Sequence, residues 1–243
     1  MPRYDYVLFD ADNTLFDFDR AEYEALGRVL REWGYPDDER TRETYLSINR
    51  ELWRRFDRGE VSQDWLLVER FRRFEAAMGG HHDPEQFNRD YLTHLGEGAF
   101  LLPGAEELCR TLAAQCTLAI VTNGATIAQT GRFARSGLAP YFKGLFISQE
   151  LGCRKPERAF FDQVLQRLGV TDRADTVVVG DNLLSDIQGG INAGLDTIWY
   201  CPGGAQPPGD IIPTYTTENY AQVAAIILGD GQPAPETIKS SSM

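Results

Sequence analysis

The chain opens on an apolar and aromatic run, Tyr4-Asp5-Tyr6-Val7-Leu8-Phe9, that stops at Asp10. A short apolar run that ends in a polar cluster reads as a buried strand. From Asp17 to about Gly96 strand-like runs vanish and apolar residues recur at helical spacing. Tyr23, Leu26, Leu30 and Trp33 fall on one helical face. Tyr45, Ile48, Leu52 and Phe56 fall on the next, and Leu67, Phe71 and Phe74 on a third. Gly34-Tyr35-Pro36, Gly59 and Gly79-Gly80 interrupt the pattern, as glycine and proline do between helices. The stretch predicts four or five helices.

After Leu102-Pro103-Gly104 the pattern alternates. Helices are predicted over 105–114, 127–136, 157–168, 183–193 and 218–228, and strands over 118–121, 145–147, 176–179 and 197–200, with a short one near Thr214. Such alternation predicts a mostly parallel sheet with helices on both faces. The first strand cannot bury its apolar residues alone, so it joins that sheet. The expected organisation is a discontinuous α/β core over 1–16 and 99–229, a helical insert over 17–98, and a disordered, Pro- and Ser-rich tail over 230–243.

Composition narrows the function. The 243 residues are 42% hydrophobic and 25% charged, as in a soluble globular protein large enough to bury a core without staples. Cys109, Cys116, Cys153 and Cys201 are scattered, with no CxxC pair, so a disulfide framework or zinc knot is not expected. The net charge of −12 argues against a nucleic-acid polymer as partner, which needs a basic surface. It leaves a small anionic substrate open, because local charge governs a site. No apolar run reaches membrane-span length and no signal-peptide core follows Met1, so a cytoplasmic protein without membrane contact is expected. Nothing in the pattern decides between monomer and homodimer.

In a parallel open sheet, ligands bind beyond the carboxyl ends of the strands. The predicted first, second and fourth strands end in Asp10-Ala11-Asp12-Asn13-Thr14, Thr122-Asn123-Gly124 and Gly180-Asp181 through Asp186, and a short loop leads from the third to Arg154-Lys155-Pro156. Strand-end aspartates are often only turn formers or helix caps; several together with a lysine suit phosphoryl transfer. A phosphate monoester repels carboxylates, so the site needs a lysine and a metal held by hard oxygen ligands, of which Mg²⁺ is the natural choice. Asp10 and Asp181 are the natural direct ligands. Asp12, two residues beyond Asp10, is placed to protonate the leaving oxygen. Thr122 and the backbone N–H groups around Asn123 and Gly124 could hold phosphoryl oxygens, and Lys155 could neutralise charge on nucleophile and phosphate.

DADNT, TNG, a later KP and GDNLLSD, in that order and at strand ends, resemble the four motifs of the haloacid dehalogenase (HAD) superfamily. The resemblance implies an α/β, HAD-like Rossmannoid core with a parallel sheet flanked by helices, plus an inserted all-helical C1-type cap. It implies Asp10 as the nucleophile that forms an aspartyl-phosphate and Asp12 as general acid and base. It also implies Mg²⁺ on the Asp10 and Asp181 side chains and the Asp12 carbonyl, Thr122 and Lys155 on the phosphoryl group, and Asp186 in support. DADNTLFDFD, LLPGAEEL, SGLAPYF, FISQELGCRKP and SDIQGGINAGLDTIWY further resemble the bacterial noncanonical pyrimidine nucleotidases. That resemblance implies a 5′-nucleotidase for UMP, dUMP and dTMP. Asn49, Trp53 and Arg70 are then candidate substrate contacts, although a Trp at helical spacing is more often core. A sugar-phosphate or phosphoglycolate-type phosphatase, a phosphomutase and a 2-haloacid dehalogenase are the alternatives on the same scaffold. The joints near Phe16-Asp17 and Gly96–Gly98 are expected to hinge the insert.

Overall fold

The computed structural model describes residues 1–205 and 209–229. The expectation of a disordered 230–243 tail falls outside them. Six strands, β1 (Tyr6–Phe9), β2 (Thr117–Thr122), β3 (Phe142–Ile147), β4 (Thr176–Gly180), β5 (Asp196–Tyr200) and β6 (Tyr215–Thr217), form one sheet in the order β3-β2-β1-β4-β5-β6. Every pairing is parallel. The chain builds outward from β1 in one direction through β2 and β3, then in the other through β4 to β6. The order therefore reverses between β1 and β4, the position at which such sheets open a ligand crevice.

Side chains alternate across the strands. Val7, Phe9, Leu118, Ile120, Val177 and Val179 face one apolar layer, which includes Leu108 and Leu112 of α5 (Ala105–Ala113) and Val223 and Ile227 of α10 (Tyr220–Leu228). Leu8, Ala119, Val121 and Val178 face the other, packed on Phe160, Phe161 and Val164 of α8 (Arg158–Leu168) and Ala193 of α9 (Gln188–Ala193). Helix α6 (Thr126–Arg135) follows β2, and a short α7 (Ser148–Leu151) follows β3. The segment 183–193, expected as one helix, begins instead as a π-helical turn over Leu183–Ile187 before α9.

Between β1 and β2 the chain inserts α1 (Phe18–Glu32), α2 (Glu39–Asp57), α3 (Gln63–Met78) and α4 (Pro84–Glu97). Asp17, Asp38, Ser62 and Asp83 cap their first turns with side-chain oxygens. Tyr45, Phe71, Phe74, Phe87 and Tyr91 stack into an aromatic centre. One expected core residue is not there: Tyr23 is exposed, and the Arg42 guanidinium lies 3.8 Å from its ring centroid. Leu26 and Leu30 of the same face are buried as expected; Tyr23 lies outside the buried stripe of α1, which runs through Ala21, Ala25, Leu26, Val29 and Leu30.

Two connections join the insert to the sheet, and they pair with each other. Asp17 N–H donates to the Phe100 carbonyl at 3.0 Å and Leu102 N–H to the Leu15 carbonyl at 2.9 Å. Ala125, just before α6, and Ala128 within it belong to the insert's own apolar cluster. At Gly131 a Cβ would lie 2.8 Å from the Gly96 carbonyl oxygen, so glycine there permits α4 and α6 to touch backbone to backbone.

Candidate active site

Beyond the end of β1 the chain turns sharply at Asn13, whose φ is 57°, a left-handed conformation that Asn tolerates better than most residues. The turn is closed by Asn13 N–H donating to the Phe16 carbonyl at 2.8 Å. It turns Thr14 inward, where its hydroxyl accepts from Asp181 N–H at 3.1 Å. The motif after β1 and the motif after β4 are thereby tied together.

Lys155 sits between them. Its Nζ donates to Asp10 Oδ1 at 2.6 Å, Asp186 Oδ1 at 2.6 Å and the Val121 carbonyl at 2.9 Å. Burial alone would lower its pKa, but the two adjacent carboxylates outweigh that and hold it well above the ordinary lysine value. Asn123 positions the lysine: its Oδ1 accepts from Lys155 N–H at 3.0 Å and its Nδ2 donates to the Lys155 carbonyl at 2.9 Å. Thr122 Oγ1 accepts from Gly124 N–H at 2.9 Å, so this amide, expected to face a phosphoryl oxygen, is bonded within its own turn. Asp186 is wholly buried and its Oδ2 also accepts from Asn182 N–H at 3.1 Å. Glycine at 180 is required for space: a Cβ there would overlap the Asp186 carboxylate.

One oxygen each from Asp10, Asp181 and Asp186 lies within 4.8 Å of the others. Three carboxylates thus face one ammonium. Burial, then the charge of Asp186, pushes Asp10 up to about 7. Burial, then Asp10 and Asp186, pushes Asp181 up to about 8. Such mutual repulsion is what a hard divalent cation relieves, and an all-oxygen donor set suits Mg²⁺. Asp12 is placed apart. Its side chain turns to α6, where Arg132 Nη2 bonds Oδ1 and Gln129 Nε2 donates to Oδ2 at 2.8 Å.

These groups line one end of a cavity of about 630 Å³ that continues into the helical insert. Asn49, Trp53 and Arg70 line it as well. Arg70 is buried, however, and donates to Asn49 Oδ1 at 3.2 Å, Asn88 Oδ1 at 2.8 Å and the Leu67 carbonyl at 3.2 Å. Asn49 Nδ2 in turn donates to Glu22 Oε1 at 3.0 Å, which also accepts from Tyr91 OH at 3.3 Å. Burial raises the Glu22 pKa against the lowering effect of Arg70. Glu22, Asn88, Gln129 and Arg132 were not among the expected site residues. The usable signal was an acid beside the apolar stripe of α1 and a Gln and Arg three apart on the helix after TNG.

The turn between α2 and α3 reaches down to the sheet. Gln63 Nε2 donates to the Asn123 carbonyl at 2.7 Å, and Gln63 Oε1 accepts from Ser148 Oγ at 3.2 Å. Gln149 Nε2 donates to Asp64 Oδ1 at 2.8 Å, and Arg154 donates to the Phe56 carbonyl. The insert therefore touches the core on both sides of the cavity, through α6 and through this turn.

A parallel sheet that reverses at β1 and β4, with an aspartate-lysine cluster at the reversal, defines a hydrolase of the HAD type. The family model for haloacid dehalogenase-like hydrolases matches residues 4–194, and the chain belongs to that family. It is 38% identical to the pyrimidine 5′-nucleotidase PynA of Streptococcus pneumoniae, over 89% of this chain and 92% of that one. It is 32% identical to the pyrimidine 5′-nucleotidase YjjG of Escherichia coli, over 93% and 98%. Among solved structures, YfnB of Bacillus subtilis superposes with a TM-score of 0.87 at 36% identity, covering 93% of this chain and 99% of that one. The YfnB crystal is bound to magnesium and reveals interdomain movement. The chain is thus an HAD hydrolase whose relatives include phosphoric monoester hydrolases. Among the described residues, no helix is long and apolar enough to cross a membrane.

Proposed function

We propose that the protein is a cytoplasmic, magnesium-dependent phosphatase that hydrolyses pyrimidine nucleoside 5′-monophosphates through an aspartyl-phosphate on Asp10. The observation that carries this reading is the meeting of Asp10, Lys155, Asp181 and Asp186 beneath a cavity whose far wall is polar and aromatic. The Asp10 and Asp181 side chains and the Asp12 carbonyl would hold Mg²⁺, with Asp186 bracing Lys155. The bound ion supplies positive charge that lets a dianionic phosphate approach the carboxylates.

Lys155 holds Asp10 Oδ1, and Oδ2 attacks phosphorus. The P–O bond to the nucleoside breaks, and the leaving 5′-oxygen takes a proton from Asp12. Asp12 then takes a proton from water as that water attacks phosphorus and frees Asp10. Thr122 and Lys155 hold the phosphoryl oxygens through both steps, joined by the backbone amide of Asn123. Trp53 offers a ring face to the base, while the Glu22–Asn49–Arg70 network supplies polar groups at the cavity's inner end. The names of the PynA and YjjG relatives favour a pyrimidine there. Phosphate release is expected from UMP, dUMP and dTMP with Mg²⁺ and to vanish in EDTA. A clear preference for a sugar phosphate in the same assay would overturn the substrate and leave the chemistry.

Residues 17–98 act in this reading as a cap that opens for the nucleotide and closes to exclude water. Gln63 latches the closed form. Gln63→Leu removes one or two hydrogen bonds worth about 1 kcal/mol each, so kcat/KM for UMP is expected to fall roughly 5- to 30-fold. An unchanged value would remove the latch.

The raised carboxylates give a pH signature. An unfolded aspartate ionises near pH 4, whereas Asp10 and Asp181 in the metal-free fold ionise at about 7 and about 8. The stability linked to their protonation is whole below about pH 4 and is lost as pH rises through about 7 to 8. In EDTA the melting temperature is therefore expected to fall across this window. Added Mg²⁺ is expected to raise it more at about pH 8 than at about pH 6, since the ion competes with protons. Equal Mg²⁺ effects at both pH values would contradict the assignment of these two residues.

A further inference from the structure

We propose that Arg132 and Gln129 are positioning residues that hold Asp12 in line with the leaving oxygen, and that Gly124 is a glycine because Gln129 must pass through its side-chain space. The proposal rests on the reading of Asp12 as proton donor. Asp12 is gripped on both oxygens from one helix face, by residues three apart on α6. Arg132 is fully buried, yet its Nε and Nη1 have no hydrogen-bond partner among the described residues. A buried guanidinium with two unmet donors stabilises a fold poorly. The rings of Phe16 and Phe18 lie 5.3 and 5.6 Å from its carbon and hold it in place. What this arrangement achieves is one fixed carboxylate, whose position matters because proton transfer requires hydrogen-bond reach.

Gly124 supplies an independent sign. Its φ is not in the left-handed region, so a positive φ is not what selects glycine. A Cβ there would overlap the end of the Gln129 side chain, which is donating to Asp12 Oδ2. Each carboxylate oxygen has two lone pairs, so the grip leaves a lone pair on each for the proton that Asp12 passes to the leaving oxygen and later recovers from water.

The test compares kcat/KM for UMP, whose alkoxide leaving group needs a proton, with that for p-nitrophenyl phosphate, whose aryloxide does not. Both values report the step that phosphorylates Asp10. Arg132→Met and Gln129→Leu are expected to lower the UMP value, Arg132→Met by roughly 100-fold, and to change the p-nitrophenyl phosphate value less than about 5-fold. Arg132→Lys should recover part of the UMP value, and Gly124→Ala should resemble Gln129→Leu. Asp12→Asn shows the same split, and Arg132→Met added to it has little further effect, as for residues acting as one unit. Equal losses on both substrates, or losses that add to those of Asp12→Asn, overturn the proposal. If Arg132→Met does not fold, Gln129→Leu decides alone. If Asp12→Asn itself shows no split, the proton-donor reading fails instead.

Discussion

Asp10→Asn is expected to release no phosphate from UMP above a level roughly 10⁵-fold below the parent, the scale of loss when a covalent nucleophile is removed. The fold should survive. Lys155 keeps its bonds to Asp186 Oδ1 and the Val121 carbonyl, so its buried charge stays compensated. One of three crowded carboxylates is neutralised, and burial with the charge of Asp186 already pushes Asp10 up to about 7. In metal-free buffer at about pH 8 the variant should melt no lower than the parent, because neutralising a raised carboxylate removes an unfavourable term. A dead enzyme that is also unfolded would not count; a folded variant with ordinary turnover would refute Asp10 as nucleophile.

Lys155→Met is expected to lose activity and stability together. Its side chain is almost wholly buried between Asp10 and Asp186, and it is the cation bonded to the cluster. Removing one partner of a buried ion pair costs about 3–5 kcal/mol. The acids can take up protons as pH falls, so the loss should be smaller at about pH 6 than at about pH 8. Urea unfolding of the metal-free protein at both pH values reads this directly. A variant as stable as the parent at the higher pH would show that the cluster does not depend on its lysine.

The two variants pull the same residues in opposite directions. Removing a carboxylate relaxes the cluster, and removing the ammonium overloads it. That asymmetry is what a site prepared for a divalent cation predicts.

The strand ends were the legible part of this molecule. A strand must stop where its apolar run stops, so Asp10, Thr122 and Asp181 could be placed at one edge of the sheet from pattern alone. The order of the motifs did the rest, because parallel strands put all their carboxyl ends on one side. Lys155 follows the short helix α7 rather than the end of β3, so it was legible only from its place in the order of motifs, and its threefold bonding was not legible at all. Helices of the insert were countable from glycine breaks, and the structure has four.

Long-range partners were hidden. Asp12 and Arg132 are 120 residues apart in sequence, and no local rule says which buried arginine meets which acid. Gln63 looks like an ordinary first-turn residue of α3 and is a bridge to Asn123 and Ser148 only because the α2–α3 turn is folded down on the sheet. Asn49 and Arg70 were legible as cavity residues, but not as partners of one another. Tyr23 misled because helical periodicity marks a face but not its edge: Leu26 and Leu30 are buried together with Ala21 and Ala25, and Tyr23 at the rim of that stripe is exposed.

The most direct measurement is an acid quench of enzyme mixed with Mg²⁺ and UMP carrying ³²P, taken within the first turnover. The account predicts radiolabel bound to protein, released by hydroxylamine as an acyl phosphate is, located on the peptide that contains Asp10 and absent from Asp10→Asn. Inorganic phosphate formed at full rate, with no labelled protein at any quench time, would contradict it.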